Sequence, residues 1–359
     1  MTRFARGLVV GKFCPLHRGH QYLIDQALEQ CDELVLISYT RPAFDRCTAA
    51  ARERWLAEHY PQARRLVLDE ARFATLAESH GWPGGPALPD NDAPAEVHRE
   101  LVGWLCHRVL DTRVDAVFSS ETYGAGLADA LSRYFDDHRG RGHPSVVSVC
   151  VDRARATVPV SGTAIRRDPH GLRHYLAPQV YADFVQRVCL LGGESTGKST
   201  LAQALAAQWE TVWVPEYGRE RWEAQGGKLV FEDLLEIARI QLGRERAACA
   251  RAHRWLFCDT GPLTTLLYCR DMFGRAEAEL EQLATQSYDR VFLCAPDFPF
   301  VQDGTRRDDG FRREQDRWYR HELAVRGVAF DVLEGNLAQR LAQVGRLLDQ
   351  AGPTDTAVI

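Results

Sequence analysis

Short apolar runs and longer amphipathic stretches alternate along this chain. In the first half, residues 7–10, 33–38, 65–68, 116–119 and 146–151 read as strands, and residues 20–30, 49–58, 95–110 and 126–134 space their apolar side chains as helices do. The second half restarts the pattern. It predicts strands at 188–191, 212–215, 255–258, 290–295 and 328–332, with helices at 198–208, around 231–253, near 263–270, over 312–326 and over 337–350. Such alternation is the signature of parallel sheets wrapped by helices. The expected fold class is therefore α/β, with two doubly wound parallel-sheet domains. Residues 81–94 (GWPGGPALPDNDAP) and 138–144 read as surface loops. The pattern lapses between residues 181 and 187, which divides the chain into 1–184 and 185–351, with a disordered tail at 352–359. No further module is expected ahead of Leu8.

Bulk composition narrows the partners. A length of 359 residues suits about two domains, and the net charge of −5 gives no basic excess to displace counterions from duplex nucleic acid. Only three lysines occur, Lys12, Lys198 and Lys228, and the first two lie in glycine-containing turns after a strand. A compact ammonium on a flexible stem suits a phosphate there. The ten cysteines show no C-x-x-C, and Cys150, Cys189, Cys258 and Cys294 lie in apolar runs, which reads as buried free thiol in a reducing, cytoplasmic setting. No signal peptide is recognised and no apolar run reaches about 18 residues, so neither secretion nor membrane insertion is expected.

The first candidate site is Gly11-Lys12-Phe13-Cys14-Pro15-Leu16-His17-Arg18-Gly19-His20, directly after a strand. Gly11 would let the backbone pass close to a nucleotide. His17 and His20 stand one helical turn apart and can face one ligand, beside the free amides of a helix start. Two imidazoles can stabilise charge on a transferring phosphoryl group, and no general base is needed when the nucleophile is itself a phosphate anion. The plainer alternative is that the histidines only cap a helix. A second segment, Ser161-Gly162-Thr163-Ala164-Ile165-Arg166, offers hydroxyls where a helix begins and an arginine to reach the β and γ phosphates of ATP. Ser119-Ser120-Glu121-Thr122-Tyr123-Gly124 also follows a strand and could line the same crevice, or be an ordinary strand-to-helix turn with a cap.

The second candidate site is Gly192-Gly193-Glu194-Ser195-Thr196-Gly197-Lys198-Ser199, a full G-x4-G-K-S phosphate loop between a strand and a helix. Its amides would cradle phosphate, Lys198 would reach the β and γ phosphates, and Ser199 would ligate Mg²⁺, with Thr200 and Thr196 either assisting or only tightening the turn. Glu216 lies just past the second strand, where a carboxylate could take the proton of an attacking hydroxyl or hold ribose hydroxyls. Asp259, after the strand at 255–258, has the position of a second Mg²⁺ ligand. Asp303, Arg306, Arg312 and Arg313 suggest a mobile arginine-bearing lid, against the alternative of a solvated charged helix.

The first site resembles the nucleotidyltransferase superfamily with its HxGH and (I/V)SxTxxR motifs. The match of Gly11 to His20 to G-x-F-x-P-x-H-x-G-H is closer to nicotinamide mononucleotide adenylyltransferases than to their phosphopantetheine relatives, in which the first histidine is usually Thr or Ser. The module order, with GGESTGKS, the segment Glu216-Tyr217-Gly218-Arg219-Glu220, CDT-x-x-x-TT from Cys258 to Thr265 and QDG-x-R from Gln302 to Arg306, looks like the NadR-type bifunctional enzymes. That resemblance covers nearly the whole chain. It implies catalytic roles for His17, His20, Arg166, Lys198, Glu216 and Asp259. It implies ATP contacts at Gly11, Phe13, Gly19, Ser161, Thr163 and the phosphate loop, and substrate or lid contacts at Tyr217, Arg219, Phe300, Asp303, Arg306 and Arg312. It further implies ATP as co-substrate with Mg²⁺, and nicotinamide riboside, nicotinamide mononucleotide and NAD as ligands. Phe300 stands where a stacking Trp segment is expected. Some members carry an N-terminal helix-turn-helix; this chain starts at its first strand, so direct DNA binding is not expected, and a homo-oligomer is left open. A phosphopantetheine adenylyltransferase fused to dephospho-CoA kinase, and a nucleotide sensor with weak catalysis, remain alternatives.

Overall fold

In the computed structural model the described residues are 3–79, 87–140, 142, 144–152, 154, 156–302 and 307–350. The chain divides into two compact units, Met1–Asp183 and Phe184–Ile359. The first contains β1 (Phe4–Val10), α1 (Arg18–Gln30), β2 (Cys31–Tyr39), α2 (Ala49–His59), β3 (Arg64–Leu68), α3 (Glu70–Ser79), α4 (Ala95–Trp104), β4 (Ala116–Ser119), α5 (Tyr123–Arg139), β5 (Val147–Cys150), α6 (Gly162–Arg167) and α7 (Pro178–Tyr181). Its five strands lie in the order β3-β2-β1-β4-β5, all parallel. Consecutive strand residues face opposite sides of a sheet, so the complete burial of Val35, Leu36 and Ile37 requires cover on both faces. This accounts for the continuous apolar runs in place of alternation.

The second unit contains β6 (Gln186–Leu191), α8 (Lys198–Gln208), β7 (Val212–Val214), α9 (Tyr217–Ala224), α10 (Phe231–Cys249), β8 (Trp255–Asp259), α11 (Pro262–Phe273), α12 (Ala278–Leu283), β9 (Arg290–Cys294), α13 (Asp309–Val325), β10 (Asp331–Leu333) and α14 (Leu337–Gln350). The order is β10-β9-β6-β8-β7, again all parallel. In each unit the first strand sits in the middle, and the chain winds out to one side and then the other. The strand order reverses beside β1 and beside β6. Such reversal points open crevices at the carboxyl ends of strands, where ligands bind.

Several elements differ from the sequence expectation for physical reasons. α3 and α9 bury no residue fully, so their sequences carry little apolar periodicity and neither was anticipated. α12 is a short helix with one buried side chain, Leu280, and was missed likewise. The expected helix over 95–110 is α4 followed by a π-helical turn at Leu105–Val109, where Leu110 N–H donates to Leu105 O at 2.9 Å. α5 runs on to Arg139, into the expected loop at 138–144. The last strand is Asp331–Leu333, not 328–332. Cys150 is exposed because β5 is an edge strand, whereas the other nine cysteines are buried; all ten are free. Residues 80–86 of the expected loop and the tail at 352–359 lie outside the described residues. Among the described residues no helix is long and apolar enough to cross a membrane.

Candidate active sites

The turn after β1 opens into a cavity of about 630 Å³ at the reversal point between β1 and β4. His17 is the N-cap of α1, and its Nδ1 accepts from Gly19 N–H at 3.1 Å and His20 N–H at 3.4 Å. The two sequence readings thus merge: His17 caps the helix and also lines the cavity. Because Nδ1 accepts, the proton of the neutral ring sits on Nε2, which is then a donor. The His17 and His20 rings stack with centroids 3.7 Å apart. Phe13 is completely buried and packs edge-on against His20 at 5.1 Å. The left-handed residue of the turn is Phe13 (φ +49°), not Gly11. Gly11 is closely approached instead: a Cβ there would lie 3.0 Å from the buried Phe13 ring, which would have to shift.

The second segment meets this turn. Ser161 caps α6 by accepting from Ala164 N–H at 3.1 Å. From α6, Arg166 donates to Cys14 O at 2.5 Å and Thr163 Oγ1 at 3.1 Å, and its guanidinium lies 4.1 Å from the centre of the Phe44 ring. The cavity wall brings together Gly11, His17, Gly19, His20, Ser161 and Arg166. Ser120, Glu121 and Tyr123 join it from the end of β4. Lys12, which the sequence offers as an ammonium for phosphate, lines this wall too. Its ammonium is drawn below the usual lysine range by burial and by Arg166, so binding an anion there relieves an existing strain between cations. Not anticipated from the sequence was Arg52, a wholly buried residue of α2. It donates to Ser38 Oγ (2.6 Å), Thr40 Oγ1 (3.1 Å), Leu68 O (2.9 Å) and Cys47 O (3.2 Å). Ser38 Oγ in turn donates to Lys12 O at 3.0 Å, so Arg52 props the turn from behind.

In the second unit the turn between β6 and α8 is held by its own lysine. Lys198 Nζ donates to Gly192 O and Gly193 O, both at 2.9 Å, and Thr196 Oγ1 donates to Gly193 O at 2.8 Å. Left-handed backbone at Gly192, Ser195 and Gly197 wraps the chain around that ammonium. Gly192 and Gly193 are also tightly enclosed: a Cβ on either would lie 2.7 Å from a carbonyl oxygen, of Cys294 and Arg312 respectively. α14 contributes Arg340, 1% exposed, which donates to Thr196 O at 2.6 Å and Ala295 O at 2.9 Å and pairs with Asp297. No motif flags Arg340, because its role exists only where the ends of β6 and β9 meet α14.

Asp259 ends β8 and is buried, near the Ser199 hydroxyl, which helps hold its charge. Its Oδ1 has no hydrogen-bond partner among the described residues. Burial pushes its carboxyl above the usual range, against the pull of Lys198. An orphaned buried oxygen beside a hydroxyl fits a divalent cation whose other ligands are water and phosphate. Burial first, and then the Asp259 charge, push Glu216 upward too. Glu216 precedes α9, Arg219 is exposed on that helix, and Tyr217 lies under the Arg244 guanidinium at 4.4 Å. Ser199 and Thr200 are exposed on the first turn of α8.

Two expectations need correction. Arg312 is not a solvent-facing lid arginine. It is 3% exposed, donates to Phe298 O at 2.9 Å and pairs with Asp309, with Phe300 5.6 Å from its guanidinium. Nor is Glu194 simply one more cradling amide. Its N–H donates to Gln315 Oε1 at 2.8 Å, and its carboxylate accepts from Tyr268 Oη at 3.1 Å and Arg307 N–H at 2.8 Å. Asp303 and Arg306 lie outside the described residues.

These features define a nucleotide-phosphate-binding protein of two parallel-sheet α/β domains, one with an HxGH turn and one with a P-loop. A family profile described as an AAA domain matches residues 187–340. The chain is 29% identical over 317 residues to the trifunctional NAD biosynthesis/regulator protein NadR of Escherichia coli (strain K12), covering 84% of this chain and 71% of that protein. The NadR of Salmonella typhimurium is 29% identical over 319 residues, with the same coverage. Two crystal structures of NadR, one with NAD and AMP-PNP and one with NR, align with TM-scores of 0.68 at 20% identity, covering 97% and 98% of this chain and 96% and 97% of theirs. The chain is homologous to NadR.

Proposed function

We propose that this chain makes NAD in two ATP-dependent steps, phosphorylation of nicotinamide riboside followed by adenylyl transfer to the mononucleotide. The observation that carries this reading is one chain, homologous to NadR, with a P-loop at one strand reversal and a stacked histidine pair in a cavity at the other.

In the kinase step the 5′-hydroxyl oxygen of the riboside attacks the γ-phosphorus of ATP, the γ-phosphorus–oxygen bond breaks, and ADP leaves. Glu216 accepts the hydroxyl proton; burial and the Asp259 charge raise its pKa, which strengthens it as a base. Lys198 turns from the Gly192 and Gly193 carbonyls to the β and γ phosphates. Ser199 and Asp259 would hold Mg²⁺, which supplies charge neutralisation along the phosphates. Tyr217, Arg219 and Phe300 contact the riboside, with Phe300 supplying an aromatic face for the pyridine ring.

In the second step a phosphate oxygen of nicotinamide mononucleotide attacks the α-phosphorus of ATP, and the bond to the bridging oxygen breaks to release pyrophosphate. No proton need be removed. His17 Nε2–H, held in that tautomer by its capping role, and His20 donate to the oxygens where charge gathers. Arg166 and Lys12 attract the leaving pyrophosphate, and Ser161 and Thr163 hold it through hydroxyls. The free thiols suit a reducing cytoplasm as the working compartment.

The test is one incubation with nicotinamide riboside, ATP and Mg²⁺, with products resolved over time. Mononucleotide followed by NAD and pyrophosphate is expected. Mononucleotide alone would remove the adenylyltransferase half of the reading. Turnover of phosphopantetheine in place of the mononucleotide would replace it.

A further inference from the structure

Down the inner face of α10, buried positions recur at helical spacing: Asp233, Ile237, Gln241 and Glu245. Three of them are polar, and each needs a partner where water does not reach. Asp233 takes Arg221 of α9, at 2.8 and 3.0 Å. Gln241, 2% exposed, reaches the start of the same helix: its Oε1 accepts from Tyr217 N–H at 3.0 Å. Its Nε2 donates to Glu245 Oε1 at 3.5 Å, and Tyr288 Oη donates to that same oxygen at 3.1 Å. The other oxygen of Glu245 faces Arg187 at 3.5 Å.

The relay has one orientation. Tyr217 N–H can only donate, so the Gln241 carbonyl must face it. The amide nitrogen is then turned to Glu245, whose carboxylate accepts. Glu245 thereby fixes Gln241, and Gln241 fixes Tyr217 N–H. That N–H is one of the free amides at the start of α9, where the N-cap residue Glu216 makes no side-chain cap of its own. The Glu216 carboxylate folds back over this turn: a Cβ on Gly218 would lie 3.7 Å from its Oε1 and 3.5 Å from Ile237 Cγ2 of α10. The body of α9 is held separately, by Arg221 on Asp233 and by Arg244 on Glu220 at 2.6 and 2.9 Å. Gln241 therefore governs the Glu216 end of the helix rather than its docking.

We propose that Gln241, oriented by Glu245, is a positioning residue for riboside phosphorylation: it holds the first turn of α9 so that the Glu216 carboxylate stays aimed at the acceptor hydroxyl. This role rests on the reading of Glu216 as the base. A base must lie within hydrogen-bond reach of the proton it takes, and a displacement of about 1 Å can cost roughly 10²-fold in rate. Without the Gln241 acceptor, Tyr217 N–H loses its partner, and the turn shifts to recover one. The contacts of Lys198, Thr196 and Arg340 that shape the phosphate loop do not pass through Gln241.

Gln241→Met keeps the length of the side chain and removes the acceptor. In the full-length protein it should lower kcat for riboside phosphorylation by about tenfold, with KM for ATP within about twofold. Gln241→Glu restores an acceptor. Burial forces its carboxyl and that of Glu245 to share one proton, which reproduces the donated hydrogen bond, so kcat should return to within about threefold of wild type. The decisive comparison is a double-mutant cycle with Glu216→Ala. Once the base is gone its placement no longer matters, so Gln241→Met should cost less than about twofold in that background. The same loss in both backgrounds, or no loss in either, overturns the proposal.

A second readout needs no turnover. The Tyr217 amide should exchange with solvent deuterium about tenfold or more faster in Gln241→Met than in wild type, and near the wild-type rate in Gln241→Glu, as resolved by mass spectrometry with fragmentation. Unchanged exchange in Gln241→Met overturns the hold itself. If the wild-type protein phosphorylates no riboside, the kinase reading fails and the catalytic part of the proposal with it, whereas exchange still decides whether Gln241 holds the turn.

Discussion

At the scale of single residues, the two sites use the same cation types in different states of engagement. Lys198 rests on two carbonyl oxygens of its own loop, and the proposed kinase step has it exchange them for phosphate. Arg166 is anchored on Cys14 O and Thr163 while it faces the cavity. Lys198→Ala should lower riboside phosphorylation by about 10²–10³-fold in kcat and leave adenylyl transfer near wild type, and His20→Ala should do the reverse. Steady-state assays of each step on each variant check both halves; a change that abolished both steps in folded protein would defeat the picture of two sites. A pH dependence belongs here too. Glu216 must be ionised to take a proton, and its folded pKa is raised, so the acid limb of the kinase rate should lie above the ordinary carboxylate range. Activity is then lost as pH falls through that raised value. Because Glu216 and Asp259 repel each other, the limb belongs to the pair. Arg219 pulls the Glu216 value down. Arg219→Ala should therefore move the limb to still higher pH, whatever it does to maximal turnover, as read from kcat against pH.

At the scale of elements, each phosphate-binding turn is braced by a buried arginine from a helix that carries no motif. In the first unit Arg52 of α2 ties β2, β3 and the Cys47 carbonyl to the back of the turn. In the second, Arg340 of α14 holds Thr196 O, Ala295 O, Gly335 O and Asp297. Removing one partner of such a set leaves buried carbonyls and a carboxylate uncompensated. Arg340→Met should destabilise the second unit by about 2–4 kcal/mol, somewhat less than the loss of a fully buried pair because Asp297 keeps partial contact with water. Chemical denaturation measures that loss, and a raised KM for ATP would accompany it as Thr196 loses its support. An unchanged midpoint would show that the Arg340 contacts are not structural.

At the scale of the whole molecule, each unit has its own hydrophobic core. One is built on β1, β2, β4, α4 and α5 around Leu8, Val35, Leu105 and Phe135; the other has cores on the two sides of β6, around Leu234 and Leu266 and around Leu205 and Phe292. A core of this extent suffices for independent folding of a domain this size. Residues 1–183 and 184–359 produced as separate chains should each unfold cooperatively, the first retaining adenylyl transfer and the second riboside phosphorylation. Circular dichroism melts and the two assays test this. Loss of cooperative unfolding in either piece would show that its stability depends on the other.

The fold class and the place of both candidate sites were legible in the order of residues, because parallel strands need continuous apolar runs and a phosphate-binding turn needs glycine, lysine or histidine at fixed spacing in a strand–turn–helix. Those are local requirements, met within about ten consecutive positions. Elements that bury little, such as α3 and α9, left no such trace. Nor could spacing show that Arg312 turns inward, that His17 both caps α1 and faces the cavity, or that Arg52 and Arg340 brace the turns. These features depend on which distant segments the sheet order brings to one strand end, and only tertiary packing decides that.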